Sequence, residues 1–443
     1  MEIQLSDHFT YKKLMRFVMP SIMMMIFTSI YGVVDGFFIS NFVGKTPFAA
    51  VNLIIPFTMI LGALGFMFGT GGSALVALRL GQGKKEEANR TFSLIVYVGI
   101  FIGILLAIAG IVFIEPIAVL LGADEILLPY CVIYGRILLV ALPAFMLQNM
   151  FQSFLVTAER PDLGLKITVI AGVTNIILDA LFMAVFQWGT VGAALATAIS
   201  QGVGGIVPTI YFACRNNSAL RLGKAGFDGR ALLQTCTNGS SELVTNISMS
   251  LVSMLYNVQL IHFAGEDGVA AYGVIMYVNF IFIAIFLGYS IGTAPIIGFH
   301  YGAENAEELK NIFKKSMRLI AMAAVILTAV AIILSPVLSK IFVGYDQKLF
   351  EMTDRGFKLY SISFLFTGFS IFGSSLFTAL NDGVVSAVIS FLRTLAFQVL
   401  AILILPNIWG LDGIWYSIIV AELAAVIVAL GLIWKFRKKY GYM

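Results

Sequence analysis

The chain reads as an all-α polytopic membrane protein, with twelve transmembrane helices in two related halves of six. Three observations predict this. Hydrophobic residues make up 59% of the 443 residues and charged ones 12%, with a mean hydropathy of +0.95; a soluble domain carries about 25% charge. Apolar runs of about 20 residues or more recur, each long enough to cross a hydrocarbon core about 30 Å thick. The second half repeats the first at a fixed offset of 221 residues.

In chain order the first half supplies runs near 14–39, 52–78, 92–114, 131–157, 167–186 and 190–213. The second supplies 236–262, 272–299, 317–343, 359–380, 384–406 and 412–434. They are too long and too continuously apolar for the alternating strands of a membrane barrel. An even number per half makes the repeats parallel, related by an axis along the membrane normal. The expected division is an N-lobe over 1–213, a linker over 214–235 and a C-lobe over 236–443.

The repeat rests on residues that chance would not align. Gly44 to Ala50 reappears as Gly265 to Ala271, Gly71 falls on Gly292, Gly81 on Gly302, and Glu86-Glu87 on Glu307-Glu308. Without a gap, Ser153, Leu155, Thr157 and Ala158 meet Ser374, Leu376, Thr378 and Ala379. Trp188-Gly189 meets Trp409-Gly410, and Gly192 meets Gly413. Two homologous membrane halves around a shared site are a transporter plan.

Orientation follows from basic residues. Of 28 Lys and Arg, 21 lie at the termini or in even-numbered loops, five on the other side (Lys45, Lys340, Lys348, Arg355, Lys358), and Arg136 and Arg393 within spans. Both termini are therefore expected in the cytoplasm of a multi-pass protein of the inner membrane. This bias accounts for the net charge of +4, which carries no implication of nucleic-acid binding. The first apolar run is too long for a cleavable signal, and no small-residue cleavage site follows it. Cys131, Cys214 and Cys236 are isolated and imply no disulfide framework. Matches to N-x-S/T at Asn89, Asn216, Asn238 and Asn246 fall in cytoplasmic or membrane positions. Gly44-Lys45-Thr46 resembles the end of a phosphate loop, but Ile39 stands where that motif needs glycine. With no soluble domain to bind ATP, no cofactor is expected beyond a coupling H⁺ or Na⁺.

Charge inside a bilayer costs about 2.5–3.5 kcal/mol or more per residue, so each instance needs a reason. The candidates are Asp35, Arg136, Asp179, Glu242, Arg393 and Glu422. At about 1.5 Å per residue, Asp35, Asp179 and Thr197 lie roughly 6–11 Å below the outer boundary. Asn175 sits one helical turn before Asp179 on the same face. Two carboxylates, an amide and a hydroxyl suit a shared proton or a hard cation such as Na⁺. The alternative is a buried polar network holding three helices together. At the repeat offset these residues become Tyr256, Ala396, Leu400 and Ile418, whereas scaffold glycines survive. That loss favours an ion site confined to the first half.

Arg393 and Glu422 fall near the midplane of adjacent spans and read as a structural salt bridge. Glu242 either faces a central cavity and attracts a cationic substrate or caps a broken helix start. Arg136, near its outer helix end, is expected to snorkel. Pro20 removes a backbone hydrogen bond from the first span and permits a hinge there, unless it merely marks the helix start. The run Ile22-Met23-Met24-Met25-Ile26-Phe27 and the 18 Met and 37 Phe suit soft cavity walls. Candidate cavity residues are Tyr31, Gln148, Gln152, Glu242, Tyr256, Asn257 and Met276.

The pattern Pro20, Tyr31-Gly32-Val33-Val34-Asp35, Gly44, Ala49-Ala50, then Gly71 and Arg79-Leu80-Gly81-Gln82-Gly83, resembles the first two helices of the multidrug and toxic compound extrusion (MATE) family. Gly292-Thr293-Ala294-Pro295 with Gly302-Ala303 resembles its eighth helix. The spacing Asn175-x3-Asp179 to Thr197 brings it nearest the bacterial branches with an N-lobe cation site. The resemblance implies two six-helix lobes around a V-shaped cleft, alternating access, and H⁺- or Na⁺-driven drug export. It implies that Asp35, Asn175, Asp179 and Thr197 match the coupling site, Pro20 the helix-1 hinge, and Glu242 a helix-7 acid. The companion acid on helix 10 has no counterpart, since Asp382 lies just beyond that span.

The function expected is therefore a monomeric secondary-active multidrug efflux antiporter, taking amphipathic organic cations from cytoplasm or inner leaflet. A lipid-linked glycan flippase is the alternative, although so few buried bases suit phosphate poorly. An enzyme finds no support in the scattered His8, His262 and His300 or in any catalytic motif. A channel would not need two lobes with one polar site.

Overall fold

The computed structural model describes residues 3–443, apart from the Lys45 side chain. Ten helices are long and apolar enough to cross a membrane, and a pair bent by 48° supplies an eleventh crossing. One of the ten, Gly229–Gly302, breaks at Gly265, where φ is 63° and ψ −150°. The spans are thus twelve, as the apolar runs predict. We label them α1 (Tyr11–Phe42), α2 (Lys45–Gly81), α3 (Lys85–Leu120), α4 (Leu128–Thr157), α5 (Pro161–Asp179) and α6 (Gly189–Ala213). The second half comprises α7 (229–264), α8 (266–302), α9 (Ala306–Val343), the bent α10 (Gln347–Ser361 and Phe364–Ala379), α11 (Gly383–Trp409) and α12 (Leu411–Tyr440).

The repeat is visible in the backbone itself. Left-handed φ values recur in register at Gly44 (100°) and Gly265 (63°), Gly83 (75°) and Glu304 (53°), and Gly189 (57°) and Gly410 (59°). At Gly44 and Gly265 the chain reverses between two long helices through a conformation that only glycine adopts without strain. The stretch expected as a linker, 214–235, is shorter than that, because α7 already starts at Gly229. Asp228 supplies the start signal, its carboxylate accepting the Ala231 N–H at 3.0 Å.

Each half has its own apolar core. Phe92, Phe151, Phe154 and Phe212 are buried together in the first, and Phe286, Phe364, Phe372 and Trp415 in the second. The halves are not clean in sequence, however. Leu14, Phe17, Val18 and Ile22 at the start of α1 pack into the second core, together with Leu5 and Phe9 of the segment before it. That segment also clasps both halves through hydrogen bonds. The Leu5 N–H donates to Glu159 of the first half at 2.7 Å. The Phe9 N–H donates to Glu308 of the second at 2.9 Å, and Asn311 and Lys315 donate to the Phe9 carbonyl. His8 Nδ1 lies 2.6 Å from the same Glu308 carboxylate.

Close contact between the halves concentrates at the end that carries both termini. There α2 lies so near α7 and α8 that a Cβ on Gly239 would overlap the Met67 carbonyl, and one on Gly302 the Leu78 carbonyl. Toward the other end the glycines are less crowded: Gly32 and Gly36 on α1 and Gly273 on α8 have no heavy atom within 4 Å of where a Cβ would stand.

Candidate functional site

Asp35 reaches the site from α1, Asn175 and Asp179 from α5, and Thr197 from α6. Two features of α5 aim its acid inward. Gly172 leaves room for the Phe27 and Tyr31 rings, drawing α1 against α5. Beyond Asp179 the helix widens into a π turn, Ala180–Val185, an irregularity that re-aims side chains at many functional sites. Ser200 of α6 donates to the Ala171 carbonyl at 2.8 Å and fixes the third wall.

Asp179 is 0% exposed and Asn175 2%. The Asp35 carboxyl faces both of them, so Asp35, Asn175 and Asp179 stand together, with Thr197 on the neighbouring α6. Asp35 Oδ1, both Asp179 oxygens and Asn175 Nδ2 are buried without closing a hydrogen bond. Buried polar atoms are nearly always paired, and leaving one unmet costs about 1–3 kcal/mol. Two facing carboxylates also repel each other, and a proton or hard cation between them relieves both penalties. Thr197 Oγ1 donates back to the Ala193 carbonyl at 3.1 Å, which leaves its lone pairs available.

Tyr134 of α4 completes the site and was not singled out in the sequence. Its hydroxyl lies beside Thr197 and within electrostatic reach of both aspartates. One tyrosine among 16 carries no depth signal of its own. Tyr31 lies between Gln148 and Asp35. Gln148 and Gln152 are buried within the first half, each with an unpaired Oε1.

The second half holds different groups. Tyr256 is buried in its core, stacked on Tyr272 at 5.2 Å and donating to Gln398 at 3.1 Å, so it is no cavity wall. Asn257 and Met276 are part-buried. Arg393 and Glu422 form the expected salt bridge, Nε to the two carboxylate oxygens at 3.0 and 3.1 Å, with side chains 14% and 3% exposed. Glu242 is part-buried, lies within electrostatic reach of Arg393, and makes no ion pair among the described residues. It lies well inside α7, so the helix-cap reading fails. Arg136 meets Glu115 of α3 at 3.0 Å, which adds a partner to its exposed position. Asp382 caps α11, accepting from Val385, and is also held by Tyr440 and Lys439. Helix α1 runs unbroken through Pro20.

Breaking a buried pair strands its other charge, at about 3–5 kcal/mol, whereas replacing both by apolar residues is often neutral. Glu422→Leu alone is expected to lower the thermal midpoint in detergent sharply, and Arg393→Met with Glu422→Leu to restore most of it. Equal losses in the single and double variants would assign Arg393 another partner.

Twelve spans, an internal repeat and a buried polar cluster inside one half fit an internally duplicated membrane transporter. The chain belongs to the MatE family, whose sequence profile matches residues 20–181 and again 243–403. The multidrug export protein MepA of Staphylococcus saprophyticus is 24% identical over 436 residues, spanning 97% of this chain and 94% of MepA. MepA of Staphylococcus aureus strain NCTC 8325 is equally similar, 24% over 432 residues, with the same coverage of both chains. The fold matches a solved outward-facing multidrug resistance MATE transporter of the MOP superfamily, at TM-score 0.91 and 23% identity over 97% of this chain and 98% of that one. A MOP superfamily transporter from Pyrococcus furiosus, described as having a binding pocket of reversed polarity, matches at 0.90 and 23% over 98% of each.

Proposed function

We propose that this protein is a secondary-active multidrug efflux antiporter that exports amphipathic organic cations in exchange for H⁺ or Na⁺ by alternating access. The observation that carries the reading is the Asp35–Asp179–Asn175 cluster, whose buried oxygens lack partners and whose residues the second repeat has lost. Relatives named multidrug export proteins along nearly the whole chain support the cargo class.

Taking the termini as cytoplasmic, as the basic residues indicate, the tight seam between the halves lies toward the cytoplasm, which supports a cleft that opens outward. An ion entering from outside meets Asp35 first. Helix α1 then links the two halves mechanically. Its first turns, through Ile22, are anchored in the second core, its outer part carries Asp35 against α5, and Pro20, within the anchored stretch, lacks the N–H that would stiffen the helix. Filling the cluster relieves repulsion between its acids and changes how α1 packs on α5, which biases the halves toward the opposite arrangement. The domains implied are an N-lobe of α1–α6 and a C-lobe of α7–α12, acting as a monomer.

The test is ethidium efflux from proteoliposomes under a pH gradient or a Na⁺ gradient imposed separately. One gradient is expected to drive efflux and thereby name the ion. Efflux under neither would overturn the reading in favour of a lipid-linked glycan flippase.

A further inference from the structure

We infer that the joint between the two halves carries a binding site for the headgroup of an anionic phospholipid. A cavity of about 340 Å³ lies at the terminal end of the first half, between the end of α2, the start of α3 and the chain leading into α7. Arg79, Arg90, Thr91 and Leu94 form one side, and Phe227 and Asp228 the other.

Two arginines and two acids line the cavity, and the arginines differ in how they are engaged. Arg79 is engaged by Asp228 at 3.5 Å and donates to Thr91 Oγ1. Glu87, the other acid of the cavity, is matched by Lys84 at 3.8 Å. Arg90 makes no ion pair among the described residues. Its guanidinium, always charged and shaped for two-pronged contact with phosphate, is the group left to bind a ligand.

The surroundings select a lipid over a soluble anion. Phe227 is 86% exposed at the rim. Along α3, Tyr97 and Phe101 follow Arg90 by two and three helical turns on the same face, 45% and 67% exposed. An acyl chain lying on that stripe puts its phosphate at Arg90, where the apolar run begins. A free phosphate gains nothing from Phe227 or the stripe. The linker is already laid along α3, Arg221 N–H donating to Asn89 at 2.7 Å and Gly223 N–H to Ser93 at 3.0 Å. A bound lipid thus bridges the first half and the entry to α7. The inference stands whatever the transported substrate is.

The experiment is native mass spectrometry of the detergent-solubilised full chain titrated with dioleoyl phosphatidylglycerol, with phosphatidylcholine as the zwitterionic comparison. Wild type is expected to retain one phosphatidylglycerol in preference. Arg90→Gln weakens this about fivefold, the factor for roughly 1 kcal/mol per basic residue at an anionic lipid, and Phe227→Ser weakens it too. Lys438→Gln removes the same charge from the same end of the molecule and leaves retention unchanged. Equal retention by wild type and Arg90→Gln overturns the site, as does an equal loss in Lys438→Gln. Displacement of the lipid by millimolar inorganic phosphate overturns the lipid assignment in favour of a free anion.

Discussion

On the proposed mechanism, Asp35→Asn is expected to abolish ion-driven export while the protein still folds and inserts. The substitution keeps the size and shape of the side chain but removes the ability to carry charge. For exchange of one H⁺ against one monovalent cation, a pH difference of one unit is worth 1.36 kcal/mol and sustains about a tenfold substrate gradient. Wild-type vesicles are expected to approach that ratio under such a gradient, and Asp35→Asn vesicles to stay near unity, like protein-free ones. Two H⁺ per cation would raise the wild-type ratio further by drawing on the voltage, about 2.3 kcal/mol per charge per 100 mV. If Na⁺ is the coupling ion, the same contrast appears under a Na⁺ gradient. Undiminished pumping by Asp35→Asn would remove the cluster from the mechanism. Asp179→Asn is a second arm: if the carboxyls share one ion, it also lowers the ratio, although Asp179 is buried deeper than Asp35.

Much of this site was legible in the sequence because a bilayer turns position along a helix into depth. Asp35, Asp179 and Thr197 could be placed at one level by counting residues from span ends, and Asn175 joined them through helical spacing. The repeat added an internal comparison, separating residues kept in both halves from those kept in one. What could not be read was lateral packing. Nothing in the apolar pattern distinguishes Tyr134, which faces Thr197, from tyrosines that face lipid. Tyr256 was expected among the cavity residues, yet it stacks on Tyr272 and bonds to Gln398 in the second core. The anchoring of Leu14, Phe17 and Ile22 in the opposite core was equally hidden, since a buried contact and a lipid contact require the same side chains. The clasp of residues 5–9 depends on Glu159 and Glu308, which lie 149 positions apart in sequence.

The second large effect is expected at a glycine. The repeat keeps Gly71 with Gly292 and Gly81 with Gly302, and the structure gives these pairs one purpose: each faces the opposite half. Gly71 lies against Thr235 and Gly239 of α7, and Gly292 against Val18 of α1; Gly81 meets Phe299, and Gly302 meets Leu78. Gly239 is as tight, its missing Cβ directed at the Met67 carbonyl. A backbone carbonyl within a helix cannot swing aside as a side-chain tip can. Gly239→Val therefore opposes closure at the terminal end and leaves the arrangement with that end open less affected. Overpacking of this kind costs about 1–3 kcal/mol, enough to shift a two-state population by roughly 5- to 150-fold. In a cysteine-free background, Gly273→Cys on the open side reports the state through its rate of labelling by a membrane-impermeant maleimide. Adding Gly239→Val is expected to slow that labelling at least about fivefold, the lower end of the same range, and to stop export with the ion cluster intact. Gly431→Val, where no neighbouring atom lies within 4 Å, leaves both unchanged. Labelling and export that survive Gly239→Val would mean that the halves do not separate along this seam, and alternating access would need another pivot.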